Sequence, residues 1–152
     1  MKMVGAAFRF RYDKLLTYRE YLKEKSEIEL GASHARLRDS QKKLEQYTDE
    51  LGQINQELKD RLNNKLSSDS LKNYTDLSTT LKMMITSQDQ EVAKATNVIK
   101  EKTKILIEKT KQFKVIEKLK EKEFQKWDYQ KHLEESKEMN EVAILRHGKD
   151  FL

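Results

Sequence analysis

Apolar residues recur at intervals of seven in two separate stretches of the chain. In the first, Leu30, Leu37, Leu44, Leu51 and Leu58 follow one another without a gap. The positions three further on are Ser33, Ser40, Tyr47, Ile54 and Arg61. In the second stretch, Ile85, Val92, Ile99, Leu106 and Phe113 keep the same interval; Lys120 breaks it and Trp127 resumes it. A neighbouring line of Val98, Ile105, Gln112 and Leu119 widens that second stripe. A seven-residue repeat puts one residue type on one stripe of an α-helix. That stripe is buried only if the helix supercoils around a partner. The companion line of the first stretch is polar at Ser33 and apolar at Ile54, which predicts a tighter seam towards the end of the first helix.

Between the two stretches, residues 63–70 read NNKLSSDS and are dense in turn and capping residues. Two Asn can end one helix, and Ser67, Ser68 or Asp69 can cap the next by accepting its free backbone N–H groups. So short a connection predicts an antiparallel hairpin, an all-α fold of two long helices in a coiled coil. The reading is a single elongated domain over residues 1–152. Helix 1 runs from about residue 8 to 62, the turn from about 63 to 69, and helix 2 from about 70 to 147. At 1.5 Å per residue the helices span roughly 80 and 117 Å, so they cannot match in length. Pairing outward from the turn sets opposite residues at numbers that add to roughly 132. Phe8 then faces Phe124, and the chain beyond about Trp127 projects past its partner.

Composition agrees with this picture. The 152 residues contain no Pro and only Gly5, Gly31, Gly52 and Gly148, so little interrupts a helix. Charged residues make up 38% and hydrophobic ones 36%, which suits a long exposed helix better than a globular core. The net charge is +5, yet residues 94–126 alone hold eleven Lys against five Glu, a surplus of six. This segment reads either as a solvated face or as an electropositive shaft fitting an acidic protein channel. The interspersed Glu101, Glu108, Glu117, Glu121 and Glu123 argue against a nucleic-acid partner, whose basic region is nearly free of acids.

Catalytic chemistry is not visible. There is no Cys, hence no disulfide, thiolate metal site or cysteine nucleophile. No glycine-rich phosphate loop occurs. His34, His132 and His147 do not meet in an antiparallel pairing, and Glu134 and Glu135 lie on an exposed helix without a cleft to tune them. The expectation is a binding protein with no enzyme activity, cofactor or metal. The opening MKMVGAAFRFRYDK lacks an apolar stretch suited to a signal peptide, and no run approaches the roughly 20 apolar residues that span a bilayer.

The opening FRFRYDKLLTYRE (8–20), the post-turn LKNYTDLSTTLKMMITSQ (71–88) and the ending EESKEMNEVAILRH (134–147) resemble the FliJ family of flagellar export proteins. In the last of these, Asn140 stands where the family usually has Asp. The family fold is an antiparallel two-helix coiled coil similar to that of the γ subunit of the rotary F1 ATPase. The resemblance implies a component of flagellar type III protein export, cytoplasmic and peripheral at the inner membrane. It implies docking inside the hexameric export ATPase FliI, promotion of its assembly and ATP hydrolysis, binding to the export gate protein FlhA, and recycling of export chaperones. Membrane association would then run through the gate proteins.

The resemblance also implies sites. Behind the Asn73–Tyr74 pair, Leu77, Leu81, Met84 and Gln88 match a gate-binding surface, with Leu77 replacing an aromatic, Met84 a smaller residue and Gln88 a His. Tyr47 and Ile54 on helix 1 would extend it; alternatively all six belong to the seam. At the open end, Phe8, Phe10, Leu15, Tyr18 and Arg19, together with Trp127, Leu133, Val142 and Arg146, are the expected contacts with the ATPase ring. The aromatic residues there would close the hairpin against Phe124, or present an apolar patch to the ring. Two other readings stay open: the equivalent stalk of a virulence-type secretion system, and a basic coiled-coil adaptor or nucleic-acid-associated protein.

Overall fold

The computed structural model describes residues 6–150, with side chains through residue 148. The protein is all-α, with two long helices packed against each other as a helical hairpin: α1 (Asp13–Leu62) and α2 (Ser68–Asp150). The described residues gather into two compact units. One holds the chain up to Glu24 and from Glu108 onward; the other is Lys25–Ile107.

The unit Lys25–Ile107 contains the turn and the seven-residue seam. On α1 the shielded positions step by three and four through Leu30, Ser33, Leu37, Ser40, Leu44, Tyr47, Leu51, Ile54 and Leu58. On α2 they step likewise through Tyr74, Ser78, Leu81, Ile85, Gln88, Val92, Ala95, Ile99, Lys102 and Leu106. Such alternation is what a two-helix seam requires. Cross-links between the arms are antiparallel: Gln88 Nε2 donates to the Ser40 carbonyl at 2.9 Å, and Lys102 Nζ meets Glu29 Oε2 at 3.2 Å.

Burial along the seam does not follow the expected gradient on α1, although Leu81 of α2, which antiparallel counting sets opposite Leu51, is 3% exposed. Ser26 and Ser33 are the buried residues of α1, with Ser33 3% exposed, whereas Leu51, Ile54 and Leu58 are only half-buried. Two helices offer no third layer, and the Leu knobs of α1 keep one flank in water. A Ser is small enough to be covered entirely, and its hydroxyl is satisfied by the preceding turn: Ser33 Oγ donates to the Glu29 carbonyl at 2.9 Å.

The turn is built from local hydrogen bonds. Asn64 N–H donates to the Arg61 carbonyl at 3.0 Å as α1 ends, with Lys59 and Arg61 in the last turn, where cations favour the negative end of the helix dipole. Lys65 then takes a left-handed conformation, φ 44°. Ser67 caps α2, its Oγ accepting from Ser70 N–H at 3.3 Å while its carbonyl accepts from Leu71 N–H at 3.0 Å.

In the other unit the start of α1 departs from expectation. The helix begins at Asp13, not near Phe8, and residues 6–10 are irregular. On a helix Phe8 and Phe10 would diverge by about 200°. Off the helix both can turn towards α2. Phe8 packs on Phe124, ring centroids 5.3 Å apart, as antiparallel pairing anticipates, and Phe10 is buried to 8% exposure. Asp13, free of that duty, opens the helix with a carboxylate at its positive end.

Candidate functional site

The open-end residues divide into two groups. Phe8, Phe10, Leu15, Arg19 and Trp127 hold the arms of their unit together. Phe8, Phe124 and Trp127 form a three-ring cluster with centroids 5.3–5.8 Å apart, in tilted and edge-on arrangements favoured by aromatic quadrupoles. Lys131 Nζ caps the Trp127 ring at 5.2 Å from its centroid. Arg19 reaches across to donate to the Gln112 carbonyl at 2.9 Å, and Leu15 is half-buried. Lys120, which breaks the apolar repeat, meets Asp13 Oδ1 at 3.2 Å, so the interruption in the stripe has a charged partner at the first turn of α1.

Tyr18, Leu133, Val142 and Arg146 form the second group and are open to solvent. Val142 and Arg146, one turn apart, line a shallow depression with Met139 and Glu138. From Met139 to Gly148 every side chain is exposed, so this end of α2 has no covering element among the described residues. Tyr21, 58% exposed and one turn beyond Tyr18, extends the exposed aromatic surface; its three-residue spacing from Tyr18 was the available signal.

In the turn-bearing unit the six expected gate-binding residues also divide. Leu77 and Met84 are exposed, 48% and 38%. Leu81, at 3%, is a seam residue, Gln88 is turned inward onto Ser40, and Tyr47 and Ile54 are half-buried in the seam. The open surface therefore runs through Leu77 and Met84 to Met83, which is 69% exposed and which the periodicity places outside the seam. Met83 lines a shallow depression with Thr79, Lys82 and Thr86. Among the described residues no group of three potential ligands is arranged to hold a metal, and no helix is long and apolar enough to cross a membrane.

Two long helices packed against each other, with no strand among the described residues, define the class of all-α helical hairpins. The family of flagellar FliJ proteins matches residues 8–150, and the chain belongs to that family, a component of flagellar type III protein export. It is similar to the flagellar FliJ protein of Bacillus subtilis (strain 168), 27% identical over 138 residues that cover 91% of this chain and 94% of that one. Its fold is similar to the solved structure of a YscO homologue from Chlamydia trachomatis, with TM-score 0.55 and 16% identity, covering 95% of this chain and 98% of that one.

Proposed function

We propose that this chain is a non-catalytic axle and assembly factor of the flagellar export ATPase. The unit bearing Phe8 and Trp127 docks inside the FliI hexamer, and the Leu77–Met84 surface of the turn-bearing unit engages the export gate protein FlhA. The observation that supports it most is the arrangement at the open end. The arms are locked by the Phe8–Phe124–Trp127 cluster, while Tyr18, Val142 and Arg146 remain free for a partner.

A pair of helices lacks sixfold symmetry, so it touches the six subunits of a ring unequally. Subunits contacted favourably in one conformation shift towards it. Binding that prefers the assembled ring also favours assembly by mass action. Neither effect needs a reacting group on this chain. Recycling of export chaperones and peripheral placement at the inner membrane belong to the same reading. Adding purified chain to its cognate export ATPase is expected to raise turnover and the hexamer fraction together. Unchanged turnover and oligomeric state at saturating chain would reject the proposal.

A further inference from the structure

Outside the surfaces discussed above, α2 carries a one-sided basic ridge within the unit that contains both helix termini. Lys111, Lys114, Lys118, Lys122 and Lys126 are separated by three or four residues and all are exposed. At 100° per residue the first four fall within an arc of about 80°, opposite the seam residues Phe113 and Ile116. Glu117 and Glu121 stand three residues from Lys114 and Lys118, within ion-pairing reach on a helix. None of the five Lys forms an ion pair among the described residues, unlike Lys120, which faces Asp13. Val115 and Tyr129 lie on the same ridge, 62% and 63% exposed.

We propose that, in chain not docked in the ATPase ring, this ridge binds an anionic lipid bilayer directly, beyond any association made through the gate proteins. The ridge follows one face of a single uninterrupted helix, so a flat surface can meet all five charges at once. An enclosing acidic channel would also press on the flank carrying Glu117 and Glu121, where like charges repel. The ridge contains no Arg, the residue whose fork grips individual phosphates two bonds at a time. Lysines as point charges suit the diffuse potential of an anionic leaflet, with Tyr129 placed to settle at headgroup level.

The test is co-sedimentation of the full chain with phosphatidylcholine vesicles, with and without phosphatidylglycerol, in the absence of the ATPase. Its outcome is therefore independent of the axle reading. The chain is expected to bind only the vesicles containing phosphatidylglycerol, and to be released as salt is raised. The triple variant Lys111→Gln, Lys118→Gln, Lys122→Gln should lower partitioning on the order of a hundredfold, at about fivefold per Lys. A triple variant of equal charge change, Lys42→Gln, Lys43→Gln, Lys59→Gln, should stay within about twofold of the parent. Circular dichroism checks that each remains helical. Should the ridge triple lose helix, Lys118→Gln alone replaces it, with a roughly fivefold loss. No binding to phosphatidylglycerol vesicles, equal losses in the two triples, or retention of duplex DNA in place of vesicles would overturn the proposal.

Discussion

In the turn-bearing unit the best-shielded side chains are Ser33 and Leu81, each 3% exposed; in the unit with the helix termini they are Ile116 at 7% and Phe10 at 8%. The first unit is a periodic seam in which a residue's position in the repeat decides its burial. The second is closed by an aromatic cluster recruited partly from irregular chain before α1, and its polar links, Arg19 to Gln112 and Lys120 to Asp13, are individual rather than periodic. The difference separates two jobs. A periodic seam stabilises the pairing of long helices and leaves few side chains free. A cluster of rings fixes two arms while the continuation of α2 stays exposed.

The largest expected effect is on the seam. Leu81→Ala should cost about 2–4 kcal/mol, read from urea unfolding followed by circular dichroism, because the two-helix pair has no other layer to refill the site. Trp127→Ala should cost less, about 1–2 kcal/mol, since its ring is half-buried. If the Trp127 change unfolds the protein more readily than the Leu81 change, the contrast between the units fails. Gly31 and Gly52 lie within α1, and a Cβ at either meets nothing within 4 Å. Gly31→Ala and Gly52→Ala should each add about 0.5–1 kcal/mol, visible as a raised Tm. Lys65→Gly should stabilise by up to about 1 kcal/mol by relieving the left-handed backbone at φ 44°. The smallest effect belongs to Asp13→Asn. The Asp13 and Lys120 side chains are 63% and 42% exposed, so the loss should be a few tenths of a kcal/mol at most, and should vanish in high salt.

Much of the fold is legible in the sequence because a two-helix seam depends on spacing alone. Leu30 to Leu58 and Ile85 to Phe113 mark both stripes, the Asn- and Ser-rich segment marks the turn, and antiparallel counting from it brings Phe8 to Phe124. What escapes is local and steric. No repeat reports that Phe10 must leave the helix to reach α2. The two Asn mark the helix stop, α1 ending at Leu62, but nothing in the spacing reports that Lys65 takes the positive φ. Ser33 reads as a weak seam position and proves among the most covered, 3% exposed, because smallness counts for more than polarity once a hydroxyl is satisfied within its own helix. The residues expected to bind the gate do not form one open surface. Leu77, Leu81, Met84 and Gln88 share a face, but that face straddles the seam edge, so Leu81 and Gln88 turn in while Leu77 and Met84 stay out.

The central claim is that the end closed by Phe8 and Trp127, and not the turn-bearing unit, acts on the ATPase. Its most direct test is steady-state ATP turnover of the cognate export ATPase with saturating amounts of two helical variants, Val142→Asp with Arg146→Glu at the open end and Leu77→Asp with Met84→Asp near the turn. The open-end variant is expected to lose at least about tenfold of the stimulation, equivalent to about 1.4 kcal/mol of coupling, while the other keeps it. Full stimulation by the open-end variant, with loss in the Leu77 and Met84 variant, would contradict the account.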